Sequence, residues 1–321
     1  MRVAVTGGGG FIGAHLLARL VGAGMDVTLI GQDIGRSQYV AALVAAGAAR
    51  FTHCDAGFRD EPAVRTALAD ADALVLLGYV APTASSPADR LLEEFERNVA
   101  STGRILRAAE GRVRHVVFAS SDSVYGTPVR TPVRESEPAC PRIPFAAAKL
   151  ACEQVVRISC AAAGATASIL RYSIVYGPGE TGSRTIPSFI RAALAGQPPL
   201  IDGEGLDEHD YVHVADAVGA TMNALRRHAD GVYNIGTGTG TTTLELAQLV
   251  VWISGGRAAP LRRAVDRESG RTSLVLDTEL ARSELGLAPG RSLPDGLAEE
   301  IGWFKAVAPA EPDRVLMAAR A

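Results

Sequence analysis

The sequence predicts a doubly wound parallel α/β sheet followed by a smaller C-terminal α/β lobe. Three observations carry that expectation. A glycine turn joins a short apolar strand to a helix at the amino end, in VAVTGGGGFIGAHLLARL. Apolar strand runs alternate with amphipathic helices up to FASS at Phe118–Ser121. The alternation then loosens after about Gly177, where Pro and Gly cluster in YGPGE, GQPPL and IDGEG.

Each element follows from its local pattern. MRVAVT is a short buried strand, GGGGFIG a turn, and AHLLARLVGAG a helix closed by glycine. DVTLI, ARFTHC, DALVLL and RHVVFAS are further strands. SQYVAALVAAG and EPAVRTALAD are helices between them, and one long helix is expected from Asp89 to about Glu110. The strands are near-continuous Val, Leu and Ile runs, as a sheet covered on both faces requires. Regular alternation implies parallel pairing through right-handed crossovers. IPFAAAKLACEQ opens an amphipathic helix at Ile143. YNIGTGTGTTTLELAQLV returns one strand, a glycine loop and a helix capped by Thr243 or a neighbour.

Composition bounds the function. The 321 residues are 47% hydrophobic with a net charge of −3, so a sizeable core is available and no basic excess points to nucleic acid or a membrane surface. The four cysteines, Cys54, Cys140, Cys152 and Cys160, lack CxxC spacing and are expected to be reduced packing residues in a cytoplasmic protein, with no metal site. The first strand is expected to start at Met1, which would leave no room for a signal peptide, and no apolar run reaches transmembrane length.

The glycine turn points to a dinucleotide. Gly7 allows the tight turn, Gly10 lets a pyrophosphate approach the backbone, and Gly13 lets the helix pack on the sheet. Phe11 and Ile12 open the helix, whose unpaired N–H groups favour an anion. On this reading residues 1–176 form a dinucleotide-binding Rossmann domain. Residues 177–307 form a substrate-binding lobe that returns one or two strands to the sheet, and 308–321 are a tail. The second strand ends at Gly31 rather than at an acid; Asp33 comes two residues late and Arg36 follows. A missing acid beside an arginine suits a 2′-phosphate, so NADP is expected over NAD, the alternative being that Asp33 reaches back. Asp55, after the third strand, is placed to accept from the adenine amino group.

Chemistry is expected where the fifth strand ends, because strand C-termini face the ligand crevice. Ser121 and Ser123 in FASSDSVYG lie there, with Asp122 read as a turn residue and Tyr125 as structural. Lys149 arrives from the next helix, one turn after Phe145 on the same face. Tyr79, after the fourth strand, lies near the cofactor and either packs or replaces a phenol.

TGGGGFIG, Asn98 in ERNVASTGRILRAAE, SSDSVYG, Lys149 with Glu153 in KLACE, LRYSIVYGPG, HDYVHVADAVGA and GVYNIGTGTGTTTLELA occur in the order seen in extended short-chain dehydrogenase/reductases. From Met1 to about Gly302 the chain resembles the NAD-dependent epimerase/dehydratase group of that family. The resemblance implies that Ser121 and Lys149 occupy the catalytic serine and lysine positions. It also implies that Phe145 stands where the catalytic tyrosine belongs. Lys149 would hold the nicotinamide ribose. Two positions that contact the sugar diphosphate in nucleotide-sugar enzymes are altered, to Ile174 and His209, while Arg267, ten residues before Asp277, is kept. The resemblance further implies a homodimer through helices of residues about 89–110 and 143–163.

Loss of the phenol costs about 10²–10⁴ in rate where acid–base help is needed. A ketone already polarised by a neighbouring phenol tolerates that loss best. The leading expectation is therefore an NADPH-dependent ketoreductase acting on an activated aromatic polyketide ketone, similar to tyrosine-less ketoreductases of angucyclinone pathways. The alternatives are a nucleotide-sugar epimerase or dehydratase, and a non-catalytic NADP-sensing protein.

Overall fold

The computed structural model describes residues 1–31, 38–45, 50–57, 59–264 and 272–307. The positions Asp33, Arg36 and Arg267 and the segment 308–321, each singled out above, lie outside the described residues.

The chain opens β1 (Arg2–Thr6), α1 (Phe11–Gly22), β2 (Asp26–Ile30), α2 (Gln38–Ala45), β3 (Phe51–Cys54), α3 (Glu61–Ala67) and β4 (Ala73–Leu76). It continues with α4 (Pro87–Glu94), α5 (Ala100–Ala109), β5 (His115–Ser121), α6 (Pro144–Ala163), β6 (Thr166–Tyr172) and β7 (Ile174–Tyr176). Then come α7 (Thr185–Leu194), β8 (Leu200–Asp202), β9 (Glu208–His213), α8 (Val214–Arg227) and β10 (Gly231–Ile235). The described chain closes with β11 (Gly240–Thr242), α9 (Thr243–Ile253), β12 (Leu261–Arg263), β13 (Ser273–Leu274) and α10 (Leu293–Val307).

Seven parallel strands form the central sheet in the order β10-β6-β5-β4-β1-β2-β3. This is the Rossmann-like arrangement. Val3 pairs with Val27 on one side and Ala73 on the other. The chain winds away from β1 in both directions, so the switch in strand order opens a crevice above the end of β1. Side chains alternate between the faces. Val3, Val5, Val27 and Leu29 pack under Leu16, Leu17 and Leu20 of α1 and Ala217 and Leu225 of α8. Ala4, Leu74, Val116 and Phe118 pack on the other face with Ile105, Leu106, Cys152 and Val156 of α5 and α6.

β9 pairs with β7, β11 and β13 in a small second sheet, beside which Tyr176, Phe189, Tyr211, Leu246, Val250 and Ile301 form a separate apolar cluster. The α9 cap is Thr242, in a capping box. Its hydroxyl accepts from the Glu245 N–H at 3.2 Å, and the Glu245 carboxylate accepts from the Thr242 N–H at 2.8 Å.

The expected helix of residues 89–110 differs in detail. It starts two residues earlier, at Pro87, behind a Ser86 cap, and a π turn at Phe95–Val99 separates α4 from α5. Within that turn Asn98 bonds the segment after β4. Its Oδ1 accepts from the Val80 N–H at 2.8 Å and its Nδ2 donates to the Val80 carbonyl at 3.0 Å.

Candidate active site

The glycine turn sits at the switch point. Gly7 has φ +71, and a Cβ there would meet the Gly78 nitrogen at 2.5 Å. A Cβ on Gly13 would meet the Gly7 carbonyl oxygen at 2.2 Å, so both positions exclude a side chain. Gly10 is the N-cap of α1 and offers no side-chain cap, so the first N–H groups, from Phe11 and Ile12 onward, face the crevice without a protein acceptor from that residue. A backbone cradle without side chains, at a positive helix end, fits a pyrophosphate. Asp55 is exposed immediately after β3. Gly31 follows β2, where its carbonyl takes a hydrogen bond from the His53 ring at 2.8 Å.

The end of β5 and the helical turn that follows it deliver three polar side chains. Ser121 ends the strand, and its Oγ accepts from the Ser123 N–H at 3.2 Å and from the Ser123 hydroxyl at 2.9 Å. Ser121 in turn donates to Asp122 Oδ1 at 3.1 Å. Asp122 is buried, and burial, with Asp210 nearby, raises its carboxyl to about 7 against the opposing bond from Ser121. A carboxyl that titrates near neutrality beside two hydroxyls can exchange a proton. The sequence reading of Asp122 as a turn residue misses this, because burial is not visible in its local pattern.

Lys149 is buried on α6, and its Nζ donates to the Ala119 carbonyl at 2.7 Å. The ammonium lies 5.1, 5.7 and 5.8 Å from the ring centroids of Phe118, Tyr79 and Phe145. Those rings favour the cation, yet burial pushes Lys149 down to about 8. Phe145 meets Tyr79 edge-on, with centroids 5.0 Å apart. The Tyr79 hydroxyl donates to Glu94 Oε1 at 2.6 Å, and Glu94 Oε2 accepts from Asn98 Nδ2 at 2.7 Å. Burial and this carboxylate both raise the Tyr79 phenol above its ordinary value. Glu94 was not singled out in the sequence. The available signal was its spacing, four residues before Asn98 and therefore on the same helical face.

Behind the site, Glu153 is held by Arg171 through Nε at 3.0 Å and a terminal nitrogen at 2.7 Å. Arg171 stacks 4.8 Å from the Tyr125 ring, and the Tyr125 hydroxyl donates to Asn234 Oδ1 at 2.7 Å. These groups are buried and tie α6, β6 and β10 together. Asp210, next to His209, accepts from the Thr237 and Gly238 N–H groups at 2.8 and 2.9 Å and anchors the loop after β10.

A model of the NAD dependent epimerase/dehydratase family matches residues 3–236. This chain belongs to that family. Membership in the epimerase/dehydratase family makes it an NAD(P)-dependent enzyme of the oxidoreductase type. It is 30% identical to a dTDP-glucose 4,6-dehydratase of Streptomyces niveus, over 95% of this chain and 93% of that one. It is 31% identical to a UDP-glucose 4-epimerase of Azospirillum brasilense, over 95% and 92%. Among solved structures, MoeE5 in complex with UDP-glucose and NAD superposes with a TM-score of 0.83 at 28% identity, covering 96% of this chain and 100% of that one. The Thermus thermophilus UDP-glucose 4-epimerase in complex with NAD gives 0.82 at 27%, covering 95% and 99%.

These relatives overturn the expectation of a ketoreductase for an aromatic polyketide ketone. The dehydratase and the epimerase are named for nucleotide sugars, MoeE5 is bound to UDP-glucose, and each match covers 95% or more of this chain. That expectation rested on one absent hydroxyl, at Phe145. The expected preference for NADP finds no support in the relatives, whose structures hold NAD. No helix among the described residues is long and apolar enough to cross a membrane.

Proposed function

We propose that this chain oxidises a hydroxyl of a nucleotide-linked hexose with NAD, as the first half of an epimerisation or a dehydration. The observation that carries the reading is coextension. A sugar-nucleotide dehydratase and an epimerase each cover 95% of the chain, so crevice and second lobe are shared together.

The backbone of Gly7, Gly10, Phe11, Ile12 and Gly13 would hold the pyrophosphate, Asp55 the adenine amino group, and Lys149 the nicotinamide ribose. When bound, the nicotinamide accepts hydride from the sugar carbon and returns it. Ser121 and Ser123 orient the reacting hydroxyl, and Asp122 completes their hydrogen-bond chain. The Lys149 ammonium lowers the energy of negative charge developing on the substrate oxygen. Ile174 and His209 alter the diphosphate end of the pocket, which directs specificity among nucleotides rather than the oxidation itself. NAD is the assigned cofactor; Gly31 in place of an acid is the feature that would admit NADP. Exposed Leu91, Leu92 and Phe95 on α4 and the following turn support a homodimer through this helix, and four free cysteines suit a cytoplasmic setting.

The test is incubation of the purified protein with NAD and a panel of UDP- and dTDP-hexoses, with NADPH and aromatic ketones alongside. The reading expects conversion of at least one sugar nucleotide. Consumption of NADPH with a ketone and no sugar conversion would reject it.

A further inference from the structure

We propose that Tyr79, coupled to the buried carboxylate of Glu94, is the proton-exchanging phenol of this site and stands in for the hydroxyl that Phe145 lacks; the inference rests on the sugar-oxidation reading above. Three geometric facts carry it. The Tyr79 and Phe145 rings are in edge-on contact at 5.0 Å, so the ring that carries a hydroxyl lies directly against the one that lacks it. Both rings flank the same ammonium, that of Lys149, at 5.7 and 5.8 Å. The Tyr79 hydroxyl is bonded to Glu94 at 2.6 Å, and Glu94 is 1% exposed whereas Tyr79 is 39% exposed, so the phenol bridges the open cleft and an interior carboxylate.

The pair is built rather than incidental. Asn98 donates to Glu94 Oε2 at 2.7 Å and clamps Val80, the residue after Tyr79, through both its backbone groups. The π turn of Phe95–Val99 aims Asn98 at those partners, and such turns inside helices frequently mark functional sites. Tyr79, Glu94, Asn98, Phe145 and Lys149 share the lining of one small cavity, together with Thr102 and Phe118.

A phenol oxygen that donates to a carboxylate keeps its lone pairs for a second partner. The sugar hydroxyl gives its proton to the Tyr79 oxygen while Tyr79 passes its own to Glu94 Oε1. The sugar oxygen is left as an alkoxide beside the Lys149 ammonium, and its electron pair closes the carbonyl as the carbon-bound hydrogen would pass as hydride to NAD bound in the crevice. The reverse sequence returns the proton. Tyr79 is the catalytic residue in this scheme. Glu94 acts through it, as relay and positioning residue.

The experiment compares Tyr79→Phe, Glu94→Gln and the double variant Tyr79→Phe/Phe145→Tyr with the parent protein. The substrate is whichever UDP- or dTDP-hexose the parent converts with NAD. Tyr79→Phe is expected to lower kcat about 100-fold with KM changed less than about threefold. Glu94→Gln is expected to lower kcat about tenfold with KM again held. A phenol restored at position 145 is expected to recover at least about tenfold of the lost rate, which a packing role for Tyr79 would not do. A Tyr79→Phe protein within about twofold of the parent in kcat overturns the relay and leaves the sugar reading standing. So does a loss confined to KM. A parent that converts no sugar nucleotide overturns the sugar reading, and the relay falls with it.

Discussion

The ammonium of Lys149 donates to the carbonyl of Ala119 at 2.7 Å, which pins α6 to the strand that ends in Ser121. The ammonium reaches β5 from the α6 side of the sheet, over the Phe118 ring, two residues before the strand end that carries Ser121. Burial lowers Lys149 to about 8. Its charge is present below that pH and lost above it. If the ammonium stabilises the reacting oxygen, kcat/KM should fall as pH rises through about 8. In Lys149→Arg, whose guanidinium stays charged, whatever activity remains should lack that falling limb. The check is a pH–rate profile of both proteins on one converted sugar nucleotide.

Asp122 gives a stability prediction with the opposite chemistry. Its folded value of about 7 lies above the ordinary carboxylate value of 3.8, mainly through burial. Between those two pH values the folded chain binds the extra proton, so the stabilisation is full below the unfolded value and is lost as pH rises through about 7. Asp122→Asn cannot titrate. Relative to the parent it should gain stability progressively from pH 4 to 8, by on the order of 4 kcal/mol at most. Denaturant midpoints across that range measure it. A difference independent of pH would mean that Asp122 is not buried in its neutral form.

Much of this architecture can be read from the residues. The Val3–Val5 strand, the glycines at 7, 10 and 13, and the strand–helix alternation dictate the parallel sheet and its crevice, because backbone sterics and apolar periodicity are local. The neighbourhood of Lys149 is less legible. Glu94 sits in a charged helix stretch, EEFERN, that reads as a solvated face, yet it ends α4 just before the π turn and is 1% exposed. Asp122 reads as a turn residue and is buried by the second lobe, which carries Asp210 and Arg184 close enough to act on its charge. Both depend on which surfaces meet after folding, and no spacing along the chain records that. The weight placed on Phe145 illustrates the same point. The sequence offers Tyr79 as a residue that packs or replaces a phenol, but its edge-on contact with Phe145 and its bond to Glu94 are visible only in the structure.

Glu300 tests the second lobe without touching the crevice. It is wholly buried on α10, with no side-chain hydrogen-bond partner among the described residues. Burial, reinforced by Glu180, raises it to about 9. The raised value means that protonation favours the fold, fully below about 4.5 and decreasingly up to about 9. At pH 7 the unfolded chain gains by ionising. Glu300→Gln removes that gain and should stabilise the protein by about 3 kcal/mol at pH 7, with the advantage vanishing below about pH 4.5. Thermal melts at pH 4.5 and 7 check the difference.

Gly13 is the most exacting position of the dinucleotide cradle. A Cβ there would lie 2.2 Å from the Gly7 carbonyl oxygen, well inside contact distance, and that neighbour is backbone that cannot swing aside. Gly13→Ala should therefore force the turn away from α1. The expected result is at least about tenfold weaker NAD binding, a loss of about 1.4 kcal/mol, together with a lower melting temperature. Calorimetric titration with NAD reads the first and a thermal melt the second. Unchanged NAD affinity would place the pyrophosphate elsewhere.

The account depends above all on a sugar carbon giving up hydride in this crevice. The direct measurement uses UDP- and dTDP-glucose deuterated at C4, incubated with the protein and NAD, followed by mass spectrometry of the dinucleotide and the recovered sugar. Deuterium on the nicotinamide, or returned to the sugar with changed C4 configuration or a lost water, is the predicted result. Retention of all deuterium in unaltered sugar, while NAD is demonstrably bound, would contradict it.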